Sequence, residues 1–197
     1  MSEKLSVRPA TGSGSALTPP VCLRGHRLKV AGVSRGWDQD YWLPTVCCKV
    51  CEAMPDPRPC WALIDPALQL APGEEPRRER LVLVAAPPAV RGAPGQITLQ
   101  LNREILGRVT ISVCGPCRRA VLEDLQVFDG NLRCGFGTVL LAAALARAPA
   151  PTYRWSTVPL PPESPAVLAF WSVVDFPGQL GKAERCTDMR RALGQVE

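Results

Sequence analysis

Two Cys-x-x-Cys pairs, Cys48-Lys49-Val50-Cys51 and Cys114-Gly115-Pro116-Cys117, constrain this chain more than any other feature. A pair at that spacing grips one ion from a knuckle-like turn, and two pairs complete a closed, tetrahedral four-cysteine zinc site. The 62 residues between the pairs exceed the span of a compact zinc ribbon, so a shared ion would clip together two distant parts of the chain. The expectation is therefore one Zn2+ on Cys48, Cys51, Cys114 and Cys117. It would hold an irregular segment, residues 21–60, to the tip of a β-hairpin and contribute folding free energy directly. Cys47 is an alternative to Cys48, Cys22, Cys60 and His26 are reserve ligands, and Cys134 and Cys186 read as incidental. Nine cysteines make an odd number for a disulfide framework. In a reducing compartment their grouping points to metal or redox chemistry.

Composition narrows the classes further. Apolar residues make up 46% of the 197 residues, enough for a real core. The net charge of +5 comes from charges mixed in sign along the chain, which argues against a dedicated nucleic-acid surface. No run approaches the ~18–20 apolar residues of a membrane span. Residues 1–20 lack an apolar signal core and are rich in Ser, Thr, Gly and Pro, so they read as a disordered leader on a cytoplasmic protein. Residues 21–197 then read as a single domain whose first part, 21–60, is cysteine-rich.

Strand signals dominate the middle of the chain. Residues 61–65 and 81–84 are short apolar runs, and residues 96–101 alternate with period two. Residues 106–113 and 119–127 read as a hairpin joined through Cys114-Gly115-Pro116-Cys117. The cluster of charged residues at 74–80 reads as a solvated loop. A glycine-punctuated loop at 128–137 leads into an Ala- and Leu-rich helix over 138–148, stopped before Pro149. A strand at 153–158 and a second helix at 163–174, with Pro165 in its first turn, complete the order.

A strand running through a glycine loop into a helix can cradle a phosphate, because the first helical N–H groups lack intrahelical acceptors and the helix dipole is positive there. Here Val127 is followed, eight and ten residues later, by Gly135 and Gly137, and Thr138-Val139-Leu140-Leu141 opens the helix. This stretch resembles the acetyl-coenzyme A binding core of the GNAT acetyltransferases, with Leu132 at the family's Arg/Gln position and Arg133 one residue later. Residues 164–176 resemble the family's following helix, with Phe170-Trp171 in its Leu-Tyr frame and Asp175-Phe176 in its Gly-Phe frame. Trp171 thus replaces a tyrosine that protonates the leaving thiolate in many members, work an indole N–H cannot do.

The resemblance, over residues 81–176, implies an α+β fold: a mixed, mainly antiparallel twisted sheet flanked by helices, with the zinc-clipped N-terminal segment added. It implies an acetyl-coenzyme A-dependent N-acetyltransferase acting on a small-molecule or protein amine, with no nucleic acid or membrane partner and a homodimer among the allowed assemblies. The cofactor would lie on Gln126, Val127, Arg133, Cys134, Gly135, Phe136, Gly137 and Thr138. A bulge in the strand before the loop would free the amides of Gln126 and Val127. Glu123 and Asp124 are the candidate general bases, and Ser156 and Thr157 would hold a water or serve the sheet. Leu132 and Trp171 favour an alternative, a non-catalytic acyl-coenzyme A-binding or zinc-stabilised interaction module.

Cys-Gly-Pro-Cys is also the thioredoxin active-site tetrapeptide. That motif opens a helix whose dipole lowers the thiol pKa, whereas here a strand follows. Structural zinc is the preferred reading.

Overall fold

Alternating apolar residues and tight turns make most of the regular structure β-structure. The computed structural model describes residues 5–10, 19–54, 59–74, 80–128, 130–161 and 164–195. The first six elements are β1 (Ser6–Pro9), α1 (Leu28–Ala31), β2 (Val33–Asp38), β3 (Leu43–Cys48), α2 (Lys49–Ala53) and β4 (Cys60–Ile64). Their strands form a four-stranded sheet in the order β1-β4-β3-β2, with β1 parallel to β4 and the other pairings antiparallel. Then follow β5 (Gln69–Leu70), β6 (Leu81–Ala86), β7 (Pro94–Leu101), β8 (Glu104–Cys114), β9 (Arg119–Val127), α3 (Phe136–Arg147), β10 (Arg154–Thr157), α4 (Pro165–Val173), β11 (Gly178–Gln179) and α5 (Thr187–Ala192). Their strands form a seven-stranded sheet, β11-β10-β9-β8-β7-β6-β5.

The second sheet is mixed. The long strands β6 to β9 pair antiparallel, and the short strands at both edges pair parallel. β9 and β10 run parallel, as expected across a strand–helix–strand crossover. The alternation in β7 puts Ile97 and Leu99 into the large core with Leu81, Leu83, Val109, Ile111, Ala120 and Leu122. α3 closes that face with Phe136, Val139, Leu140, Leu141, Ala143 and Ala144. The opposite face of β8 and β9 packs Cys114 and Val121 against Cys186 and Met189 of the C-terminal segment. No helix of the described residues is long and apolar enough to cross a membrane.

Two expectations are corrected at the N-terminus. Residues 6–9 of the expected leader form β1, with Val7 fully buried and its N–H donating to the Cys134 carbonyl at 2.7 Å. Residues 1–4 and 11–18 lie outside the described residues. The segment read as irregular, 21–60, holds β2, β3, two short helices and the first residue of β4. Its strands are short and carry polar residues and a proline, so the periodic signal is weak while the pairing is regular. Most of the charged cluster at 74–80 also lies outside the described residues.

The two sheets share one seam. Tyr41, in the turn between β2 and β3, is buried in the large core edge-on to Phe136, with ring centroids 6.2 Å apart. Its carbonyl accepts from the Leu81 N–H at 3.0 Å. Burial, then the nearby Cys134, Asp38 and Asp40, pushes the Tyr41 phenol up to about 12, so the ring sits in the seam uncharged.

Candidate functional site

The four-cysteine centre expected from the two CxxC pairs is not assembled. Cys48 and Cys51 lie with Cys22 and His26, while Cys114 and Cys117 lie with Cys186. The reason is the fold: the first pair ends β3 and enters α2 in the four-stranded sheet, whereas the second pair makes the β8–β9 turn of the seven-stranded one. Cys47 and Cys60, face to face across β3 and β4, form a disulfide and are thereby removed as ligands.

The first group has the dimensions of a metal centre. Four ligands around a tetrahedral ion with metal–sulfur bonds of ~2.3 Å have sulfurs about 3.8 Å apart. Cys22 Sγ and Cys51 Sγ are 3.8 Å apart, and His26 Nδ1 lies 3.3 Å from Cys51 Sγ and 3.8 Å from Cys48 Sγ. The three cysteines are buried and the histidine is half-buried. Backbone supports the ligands: the N–H groups of Arg24 and His26 each donate to Cys22 Sγ at 3.3 Å. Burial alone would raise the Cys22 thiol, but these two amides, with the thiols of Cys51 and Cys48, outweigh it and bring the net shift down. Burial, then the Cys22 and Cys48 thiols, pushes Cys51 up to about 12. Neighbouring thiols thus compete for one negative charge, a competition that a divalent ion removes.

The second group shows the same pattern. Cys114 and Cys186 are buried and Cys117 is exposed. Burial, opposed by the Cys117 N–H and joined by the thiols of Cys186 and Cys117, pushes Cys114 up to about 12. Cys186 is lowered: burial works against it, but the amides of Met189 and Asp188 and the two neighbouring thiols prevail.

The glycine loop is in place but its glycines serve the chain's own packing. Gly135 is the N-cap of α3, with φ of 83°, and a Cβ there would overlap the Val7 carbonyl oxygen of β1. A Cβ on Gly137 would come within 3.1 Å of the Phe170 ring. Leu132, Arg133 and Thr138 are exposed, Cys134 is half-buried and Phe136 is buried in the core. Any ligand of this loop must therefore approach its outer side, since β1 covers the other.

The strand before the loop has an open edge. β10 pairs β9 only from Arg154↔Arg119 to Thr157↔Leu122, with one more bond from the Val158 N–H to the Leu122 carbonyl. At that point β9 is bulged: Leu122 faces Ile111 and Asp124 faces Thr110, so Glu123 is the extra residue. The Phe128 N–H donates to the Leu106 carbonyl of β8. By alternation the Gln126 amide also faces β8, while those of Leu125 and Val127 face the side that β10 has left. Of the two amides expected to be free, Val127 is on the open edge and Gln126 is not.

The expected acid–base residues are engaged elsewhere. Glu123 forms an ion pair with Arg185 and accepts from the Ser112 hydroxyl at 2.8 Å. Asp124 is exposed, 3.7 Å from Arg108 Nε. Ser156 Oγ accepts from the Glu184 N–H and Thr157 Oγ1 from the Gly181 N–H, so both tie the C-terminal segment to β10. Trp171 stacks edge-on with Phe170 and Phe176, and Phe176 with Trp155. That position therefore packs α4 onto the sheet.

Cys22 and His26 carried a readable signal, a Cys-x-x-x-His spacing ahead of a Cys-x-x-Cys pair. Cys186 carried none, since it stands alone in sequence and meets the hairpin only through the fold. No protein-family model, no curated protein and no solved structure matches the chain.

Proposed function

We propose that this protein is an acetyl-coenzyme A-dependent N-acetyltransferase of the GNAT type, carrying an N-terminal unit held by a structural zinc on Cys22, His26, Cys48 and Cys51. The observation that carries the enzymatic reading is the parting of β9 from β10 after Leu122, beside the Glu123 bulge and upstream of the loop that caps α3. A pantetheine arm fits a strand edge left open in this way. The amides of Leu125 and Val127 would bond it, since among the described residues β10 pairs β9 only as far as Leu122. The pyrophosphate would meet the outer face of residues 132–138, with the exposed Arg133 adding charge and the start of α3 adding its dipole. Zinc is supported by three thiolates and one imidazole at tetrahedral spacing, a donor set typical of closed structural sites.

The chemistry is direct attack of an amine on the thioester. Amides on the open edge would polarise the carbonyl, and orientation supplies much of the rate. Asp124, exposed beside the bulge, would act as base only on leaving Arg108, whose Nε lies 3.7 Å away. The fixation of Glu123 by Arg185 and Ser112 favours a second reading, an acyl-coenzyme A-binding protein that transfers nothing.

Calorimetry and thermal shift with acetyl-coenzyme A test the first step. Saturable binding and a raised Tm are expected. No heat and no stabilisation at ~1 mM ligand would exclude affinities of −4 kcal/mol or better and end both readings. Binding with acetyl transfer to a panel of amines selects the enzyme, and binding without transfer selects the second reading.

A further inference from the structure

The cysteines that the zinc at Cys22, His26, Cys48 and Cys51 leaves over are not leftovers. We propose that Cys114, Cys117 and Cys186 hold a second zinc ion, with the carboxylate of Asp188 as its fourth ligand, and that this ion fastens the C-terminal segment to the tip of the β8–β9 hairpin. The three sulfurs lie within 4.8 Å of one another. Asp188 Oδ2 lies 3.7 Å from Cys114 Sγ but not within 4.8 Å of all three sulfurs, so its side chain has to turn inward to complete the shell. Bonds of ~2.3 Å to sulfur and ~2.0 Å to oxygen around one tetrahedral ion set a sulfur–oxygen spacing of about 3.5 Å.

Three further observations agree. Cys114 ends β8 and Cys117 stands in the turn that follows, so the pair occupies the turn of a Cys-x-x-Cys knuckle. The four ligands come from two parts of the chain that are some seventy residues apart, and the cluster joining them is small: Cys114, Val121, Cys186 and Met189. So little apolar area leaves the docking of α5 to the Glu123–Arg185 ion pair, to the hydrogen bonds on Ser156 and Thr157, and to a metal ion. Finally, three thiolates and a carboxylate around a divalent ion leave a net negative centre. The cleft beside Cys117 is lined by Arg119, Arg154, Arg185 and Arg190, and four cations gathered there are opposed by that charge. A disulfide between any two of the cysteines would strand the third and leave only Asp188 facing Arg119, Arg154 and Arg190 in that cleft, Arg185 being paired with Glu123.

Cys117 is exposed, so Cys117→Ser removes a ligand without opening a core cavity. Elemental analysis of the intact protein should find two zinc ions per chain, falling to one in Cys117→Ser and in Cys186→Ser. Cys51→Ser should also retain one, but the other one. Asp188→Asn should keep the fold and bind the second zinc at least ~10-fold more weakly in competition with a chelator. Hydrogen exchange should speed up across residues 183–192 in Cys117→Ser and across residues 21–54 in Cys51→Ser. The proposal is overturned if Cys117→Ser and Asp188→Asn bind as much zinc, and as tightly, as the unaltered protein. It is equally overturned by one zinc per chain that Cys51→Ser abolishes, a result that would leave the N-terminal centre standing.

Discussion

The four-stranded and seven-stranded sheets stand side by side in one chain and are stabilised by different means. The larger sheet buries long rows of Leu, Val and Ile under α3, and hydrophobic burial suffices for it. The smaller one encloses a cluster in which Cys22, Cys48 and Cys51 lie among Ala10, Leu28, Val46, Trp61 and Leu63. Units this small seldom bury enough apolar surface to fold alone. The cysteines therefore have different meanings on the two sheets. In the smaller, Cys22, Cys48 and Cys51 are part of the core, and in the larger, Cys114, Cys117 and Cys186 gather at one hairpin tip, away from the main core.

Removal of metal should separate the two regions most sharply. Structural zinc carries an apparent binding free energy of ~10–16 kcal/mol near neutral pH, far above a typical substitution. Treatment with a strong chelator should abolish exchange protection over β2, β3 and β4 while β6 to β9 keep theirs. Loss of protection throughout would show that the larger sheet depends on the smaller one.

A smaller effect is expected at the seam. Gly135→Ala places a side chain where φ is 83° and where the Val7 carbonyl already sits. The backbone term alone is about 1–3 kcal/mol. Tm should fall, and β1 should lose its bond to Cys134 and become accessible to proteases. An unchanged Tm with undisturbed exchange at residues 6–9 would mean that β1 does not rest on the loop.

Much of the larger sheet was legible in the sequence. The alternation at 97, 99 and 101, the hairpin on either side of residues 114–117 and the Pro-stopped helix are local signals, and each corresponds to an observed element. The parallel crossover followed from connectivity. The smaller sheet was hidden because its strands are short and half-polar, and β1 because its partner, β4, lies more than fifty residues away. The glycines were legible as points of close approach, but not what approaches them: the neighbours are Val7 and Phe170, from the two ends of the chain. Metal chemistry was legible in the CxxC pairs, and their partition was not. Spacing shows which cysteines share a turn, and only the fold decides which turns meet.

On the two zinc proposals, the CxxC pairs belong to separate centres, each completed by a ligand that is not sulfur. X-ray absorption at the zinc edge of the purified protein tests it most directly, because sulfur and nitrogen or oxygen neighbours differ in distance, ~2.3 Å against ~2.0–2.1 Å. An average of three sulfurs and one lighter atom around each zinc is expected. A zinc surrounded by four sulfurs and no lighter neighbour would contradict it, returning Cys48, Cys51, Cys114 and Cys117 to a single shared ion.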